Sequence, residues 1–307
     1  VIGDPYSAPI LEGCTHVNQI LCLSHREGKA KYFSKLLKLR RRKFDLLIDT
    51  QASGRSRIQA ALVRGKRRIS FDKQNRFANS FYTDVIPFNR RLHSVERLAS
   101  LLQPAGWHSQ PHELQMRLWV REHHRDRACE LLHASGVERP YAVLHVTTAG
   151  RPDYRVWPVQ RFAAVANYLH SLGCCVVVTS ANQDPEIRQV IEAASCPVHD
   201  VTGATEPLVL AALLEAAELY VGYNTGPMHI AAAVGTPIVG LFDIPNDSVE
   251  WHPWTDAPYE MLQARPVDEL PGWRLDTITT KEVEEAIRMV LRQTKAAEHR
   301  VPLATAG

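Results

Sequence analysis

Residues 219–241, LYVGYNTGPMHIAAAVGTPIVGL, leave the chain few ways to fold. They read as strand, tight turn, helix and strand. Leu219, Val221 and Tyr223 sit in a β-favouring run. Pro227 follows Gly226 where a first helical turn tolerates a missing N–H, and residues 228–234 continue as an apolar, alanine-rich helix. Gly235 ends that helix and Pro237 bars its continuation. The next run, 238–242, is apolar throughout, the pattern of a strand buried on both faces of a parallel sheet. The helix start presents its free N–H groups and the positive end of its dipole at the carboxyl edge of that sheet, where a phosphorylated ligand is held.

The rest of the chain repeats the alternation. In the first half, residues 19–23, 44–49, 67–71 and 113–120 read as strands. Residues 29–43, 55–63 and 94–102 read as helices, the first of them basic and amphipathic. A short helix is expected around 6–11, and 44–49 is expected to be a buried strand. Residues 121–135 form a polar helix taken as the bridge between domains, and its adjacent His123 and His124 point to different faces rather than forming a metal pair. The second half restarts with strands at 141–147, 174–179 and 198–201 and helices at 158–172, 184–194 and 206–217. A Thr279-Thr-Lys-Glu282 capping box opens a last helix through Leu291, and 295–307 reads as a polar, disordered tail. The expected domains are 1–122 and 123–294, two doubly wound α/β units in tandem with a ligand cleft between them.

At 307 residues the chain has the length for two such domains. No run approaches a membrane span, so a soluble or peripheral protein is expected. The six cysteines show neither zinc-ribbon nor redox spacing, and Cys174 and Cys175 read as buried strand residues, as in a reducing cytoplasm. Charge is uneven: up to residue 110 there are about 20 Lys/Arg against about 8 Asp/Glu, and the remainder is net acidic. A basic first half draws anionic partners, namely nucleic acid, a phosphorylated glycolipid or an anionic membrane face. Nucleic acid is the weakest of these, because no stacking-aromatic motif accompanies the charge.

Three loops of the second half end strands on one sheet edge. The segment from His145 through Thr147 and Thr148 to Arg155 supplies hydroxyls and a guanidinium before a helix that starts at Pro158, a set that suits a diphosphate. Residues 179–186 supply carboxylates for ribose hydroxyls, and Asn224-Thr-Gly-Pro-Met-His229 is the anion site itself.

His145-Val-Thr-Thr148 with Arg155-Val-Trp-Pro158, Thr202-Gly203 and the run 224–237 resemble glycosyltransferase family 9, the ADP-heptose:lipopolysaccharide heptosyltransferases. In the first half, 44–51, Arg55-Ser56 and 93–97 are similar to the heptosyltransferase I branch. The resemblance covers nearly the whole chain. It implies an α/β GT-B fold of two Rossmann-like domains, no cofactor, no metal, and inverting transfer of heptose from ADP-heptose to the Kdo of the lipopolysaccharide inner core. It also implies a cytoplasmic location, peripheral at the inner face of the inner membrane.

By the same resemblance Thr147, Thr148 and Arg155 grip the donor diphosphate, with Arg155 where the family more often has Lys. Glu186, rather than Asp184, binds the adenosine ribose, and Thr202 and Gly203 lie by the adenine. Thr225, Gly226 and the helix start hold phosphate oxygens, beside Asn224 and His229. Asn224 departs from the family's usual Asp and removes a negative charge while keeping hydrogen-bonding capacity. Arg26, Arg55, Arg57 and Arg76 are the expected contacts to acceptor phosphates and Kdo carboxylates.

The family's presumed general base is an aspartate in a Gly-Asp loop after its first strand. Val1-Ile-Gly-Asp4 resembles the following strand instead, so Asp4 is set aside and the base is expected upstream of Val1. A non-catalytic nucleotide-sugar-binding protein of the same fold, without that base, is the alternative reading.

Overall fold

Apolar runs of five residues separated by amphipathic helices cannot bury both strand faces except in a parallel sheet covered by helices, and the chain forms such sheets in each half. The computed structural model describes residues 1–3, 7–23, 28–146, 153–181, 184–243, 247–268 and 272–298. Two units result: Val1–Leu11 with Thr15–Leu114, and Glu12–Cys14 with everything from Gln115 onward.

In the first unit β1 (Ile2–Gly3) and β2 (Leu21–Cys22) pair in parallel, with a 3-10 turn at Ala8–Leu11 between them. Then come α1 (Lys29–Arg40), β3 (Lys43–Asp49), α2 (Gly54–Leu62), β4 (Arg64–Phe71), α3 (Arg76–Asn79), β5 (Asp84–Ile86) and α4 (Ser94–Ser100). The parallel order is β3-β4-β5. Helix α1 buries Tyr32 and Leu36 against Leu23 and Val63. Strand β3, expected to be buried, stands at the margin of this sheet with Leu46 36% exposed. A short apolar run carries no mark that separates a central strand from an edge one.

The loop after β3 is built on a buried carboxylate. Asp49 accepts the N–H groups of Gln51 and Ala52, both at 3.0 Å, and the Tyr82 hydroxyl at 2.5 Å. Burial, followed by the hydrogen bond to Asp49 and then its charge, drives the Tyr82 pKa upward, so the phenol keeps its proton. These bonds hold Ala52 at a φ of +48° and deliver Ser53 as the N-cap of α2, in a reciprocal box with Ser56.

The second unit carries α5 (Glu122–Ala134), β6 (Tyr141–His145), α6 (Val159–Ser171), β7 (Cys175–Thr179), α7 (Pro185–Ala193) and β8 (Val198–Asp200). It continues through α8 (Pro207–Glu215), β9 (Leu219–Tyr223), α9 (Gly226–Val234), β10 (Ile238–Phe242), α10 (Asp247–Glu250), β11 (Tyr259–Gln263), β12 (Arg265–Pro266), β13 (Trp273–Arg274) and α11 (Thr280–Glu298). Six strands form one parallel sheet in the order β11-β10-β9-β6-β7-β8. Every residue of β6, β9 and β10 is buried, as continuous apolar runs require. Helix α5 packs on α8 within this unit, where Arg125 pairs with Glu215 at 2.7 Å.

Two expectations fail here. Residues 114–120 form no strand ladder; they follow a 3-10 turn at Pro111–Glu113. Their alternation is real, because Met116, Leu118 and Val120 pack on the second unit's core. Period two reports an extended chain with one apolar side, whether or not a neighbouring strand bonds to it. Helix α11 opens on the expected Thr279/Glu282 box but runs to Glu298 instead of ending at Leu291. After its last buried residue, Val290, the sequence still consists of good helix formers such as Gln293, Lys295, Ala296 and Ala297, so nothing stops it. The rest of the expected tail lies outside the described residues.

Candidate active site

Strands β6, β7 and β8 are laid down in one direction across the sheet; the chain then returns and β9, β10 and β11 are added on the other side of β6. The winding therefore reverses between β6 and β9, and the crevice at their carboxyl ends is the ligand position that this topology creates. The strands approach closely there. Gly222 of β9 lies opposite His145 of β6, and a Cβ on it would fall 2.9 Å from the His145 Cβ and 2.7 Å from the Tyr220 hydroxyl. Trp157, fully buried, locks the loop after β6: its backbone N–H donates to the Tyr223 hydroxyl at 3.0 Å and its indole N–H to the Ile278 carbonyl at 2.8 Å.

At the end of β9 the Asn224 amide donates to the Leu241 carbonyl at 3.1 Å, so the turn begins on the sheet itself. Thr225 occupies the N-cap of α9, yet its hydroxyl donates backward to the Tyr223 carbonyl at 3.3 Å and caps nothing. Thr225 thus caps none of the first-turn N–H groups, and groups of that kind at a helix start are suited to an anion. Gly226 has no backbone need for glycine, since its φ is not left-handed. Among the described residues nothing lies within 4 Å of where its Cβ would be. Its smallness leaves that space open. At the helix's other end Gly235 adopts φ +81°, the left-handed cap that the sequence announced.

His229 lies one turn into α9, its ring 5.8 Å from that of Trp251. Burial, and secondarily the neighbouring His252, push its pKa below the ordinary histidine value, so the ring is neutral at neutral pH. His252 in turn stacks on Trp254 and Tyr259.

Arg155 ends a 3-10 turn at Asp153–Arg155 and donates from Nε to the Asp243 carboxylate at 2.5 Å. Asp243 directly follows β10. Beyond β7, the Ser180 hydroxyl donates to Asp184 at 3.0 Å, which engages Asp184 in the turn; Glu186 stands in the first turn of α7. Thr202 donates its N–H to Asp200, and Gly203, at φ +69°, donates to the Ser180 carbonyl at 2.9 Å, tying the loops after β7 and β8 together. From β8 to β9 is three strand spacings, roughly 14 Å, the span of a nucleoside diphosphate laid along the edge. Thr147 and Thr148 lie outside the described residues.

Of the residues expected to meet an acceptor, Arg55 and Arg57 stand on the first turn of α2 after β3, and Arg76 begins α3 after β4. Arg26, like Asp4, lies outside the described residues. A cationic group that sequence reasoning passed over surrounds Phe88: Lys73, Arg90 and Arg97 lie 5.6, 5.9 and 4.5 Å from its ring centroid. They follow β4 and β5, with Arg97 on α4. Among the described residues no three His, Cys, Asp or Glu side chains gather as a metal-binding group. Asp243 was also passed over, although a charged residue placed immediately after an all-apolar strand is a legible sign of a sheet-edge role.

The profile described as glycosyltransferase family 9 (heptosyltransferase) matches residues 33–267. Lipopolysaccharide heptosyltransferase 3 of Escherichia coli is 31% identical over 260 residues, covering 81% of this chain and 75% of that one. The solved glycosyl transferase family 9 protein of Veillonella parvula superposes with a TM-score of 0.81 at 21% identity, over 95% of this chain and 88% of that one. The E. coli ADP-heptose lipopolysaccharide heptosyltransferase II superposes at 0.76 and 21% identity, over 96% and 89%. The shared architecture is the α/β GT-B fold.

Proposed function

The chain belongs to glycosyltransferase family 9, the heptosyltransferases, and on that premise we propose that it moves heptose from ADP-heptose to the Kdo of the lipopolysaccharide inner core. The observation that carries the donor half is the start of α9 at the β6/β9 reversal, where the Thr225 side chain does not cap the helix and, among the described residues, the space at Gly226 is open. ADP-heptose is part of the name of the superposable heptosyltransferase II, which supports the same donor.

The reaction is a single inverting displacement at the anomeric carbon without metal. An acceptor hydroxyl attacks, its proton passes to a carboxylate base, and the bond to the diphosphate breaks with the electron pair leaving on the phosphate oxygen. The charge that develops there faces the α9 amides and the Arg155 guanidinium, which are fixed before the reaction and need no reorganisation. Glu186 accepts from ribose hydroxyls, and Thr202 and Gly203 border the adenine. Asn224, Thr225 and His229 line the phosphate and sugar end, with Thr147 and Thr148 completing the diphosphate grip. Arg55, Arg57, Arg76 and Arg26 meet acceptor phosphates and carboxylates.

The acceptor is lipid-bound, and the reading includes docking at the inner face of the cytoplasmic membrane. Among the described residues no helix is long and apolar enough to cross a bilayer. Helix α1 supports peripheral contact. Phe33 and Leu37, one turn apart, are 43% and 51% exposed, and Lys31, Lys38, Arg40, Arg41, Arg42 and Lys43 are exposed around them. No acidic residue occurs from 28 to 44. An apolar stripe set among cations matches an anionic lipid surface.

The test is release of ADP and formation of glycolipid from ADP-heptose by the full-length protein. Kdo-lipid A is offered beside a core oligosaccharide already carrying heptose, since the curated relative is named heptosyltransferase 3. Turnover with the first acceptor is expected; turnover with the second alone moves the acceptor, and turnover with neither refutes the reading.

A further inference from the structure

Asp243 and Arg155 are 88 residues apart in sequence and meet at the carboxyl edge of the second unit's sheet. The Asp243 side chain is only 4% exposed. A carboxylate taken so far out of water costs several kcal/mol unless a charged partner and hydrogen bonds compensate it. One partner is a guanidinium whose side chain is 31% exposed, so Arg155 is held at Nε without being withdrawn from the surface. The contact is made by Nε, the nitrogen nearest the flexible stem, at 2.5 Å. A bond at that atom fixes the plane of the whole guanidinium.

We propose that Asp243 is a positioning residue for the transfer reaction: by holding the Nε edge of Arg155 it aims the guanidinium at the diphosphate of the nucleotide-sugar before the ligand arrives. The inference rests on the donor-site reading above and goes beyond it. An arginine carries large rotamer freedom, and one that must be ordered on binding subtracts that cost from affinity. Asp243 removes the cost in advance. It also explains how an arginine functions here: a lysine is a point charge with no Nε–H to be gripped, whereas a guanidinium can be gripped on one edge and present the other. The carboxylate has an opposing effect, since its negative charge near a diphosphate repels it. Positioning and repulsion therefore predict opposite signs when the charge is removed.

The experiment measures ADP affinity by calorimetry for the full-length wild type, Arg155→Ala, Asp243→Asn and the double variant. Arg155→Ala is expected to weaken ADP. Asp243→Asn in the wild-type background is expected to weaken ADP by about three- to tenfold, the equivalent of ordering one rotamer-rich side chain. In the Arg155→Ala background the same change is expected to cost nothing further. Wild-type affinity in Arg155→Ala shows that the donor reading is wrong at this residue. Weak binding in Arg155→Ala with unchanged or tighter binding in Asp243→Asn keeps the donor reading and overturns the positioning role. Equal losses in both backgrounds also overturn it, since a merely structural role acts whether or not the arginine is present.

A measurement on the wild type covers the case in which Asp243→Asn does not fold. The Arg155 Nε–H resonance, assigned by its loss in Arg155→Lys, is expected to be resolved and protected from solvent exchange without ligand. A rapidly exchanging, averaged signal refutes the grip.

Discussion

Substitution of Gly226 by alanine should push stability and ligand affinity in opposite directions. The residue sits at the first helical position of α9 with a φ outside the left-handed region, and a Cβ there meets no described atom within 4 Å. The folded state therefore accepts the methyl without strain, while the unfolded chain loses backbone freedom, so stability rises by about 0.4–1 kcal/mol. For a unit of this size that corresponds to a gain of roughly 1–4 °C in melting temperature. In the proposed donor site the same methyl occupies the space through which a phosphate oxygen would reach the α9 amides. Loss of one hydrogen bond to a charged group costs about 1.5–3 kcal/mol, or ten- to a hundredfold in ADP affinity. Calorimetric titration with ADP and a thermal melt of the same sample give both numbers. Weakened ADP binding with an unchanged or raised melting temperature is the expected pair. A raised melting temperature with wild-type affinity would place the phosphates elsewhere.

Other expectations concern packing, pH and the membrane. Gly222→Ala drives a Cβ against His145 and Tyr220 and should cost about 1–3 kcal/mol in a urea titration; a wild-type midpoint contradicts the close approach of β6 and β9. His229 has a lowered native pKa, so between that value and the ordinary one of about 6.5 the unfolded chain binds more protons and stability falls with acidification. His229→Asn should accordingly lose less melting temperature than wild type between about pH 7.5 and 5, and parallel curves would remove that residue from the pH response. Phe33→Ser with Leu37→Ser should reduce sedimentation with vesicles containing anionic lipid and leave ADP affinity intact. Equal sedimentation of variant and wild type rules out α1 as the docking face.

The parts legible in the sequence are those whose cause is local. Gly226-Pro227, Gly235 and the Thr279/Glu282 box announce helix ends through φ preferences and single-turn hydrogen bonds, and all three stand where they were read. The apolar runs 219–223 and 238–242 announce buried parallel strands because only that environment tolerates them. Short elements without a period of their own, such as α3, β5, β12 and β13, left no such sign. Residues 114–120 had the right alternation for a strand but are not assigned to one. The expected donor residues could be read from the sequence one loop at a time, but Asp243 and the cations around Phe88 become meaningful only beside partners brought in by other strands.

By itself the sequence determined that strand and helix alternate, that the stretch 219–241 is a strand-turn-helix-strand unit, and which family the chain resembles. Each of these follows from forces acting over a turn of helix or a pair of strand residues. The tertiary structure decided the order β11-β10-β9-β6-β7-β8, and with it the reversal between β6 and β9 on which the proposed donor site rests. It decided that Trp157 bonds to Ile278, 121 residues away, and that Arg155 is held by Asp243, 88 residues away. Contacts of that separation depend on which strands become neighbours, and strand order is set by the burial of the whole sheet rather than by any local pattern.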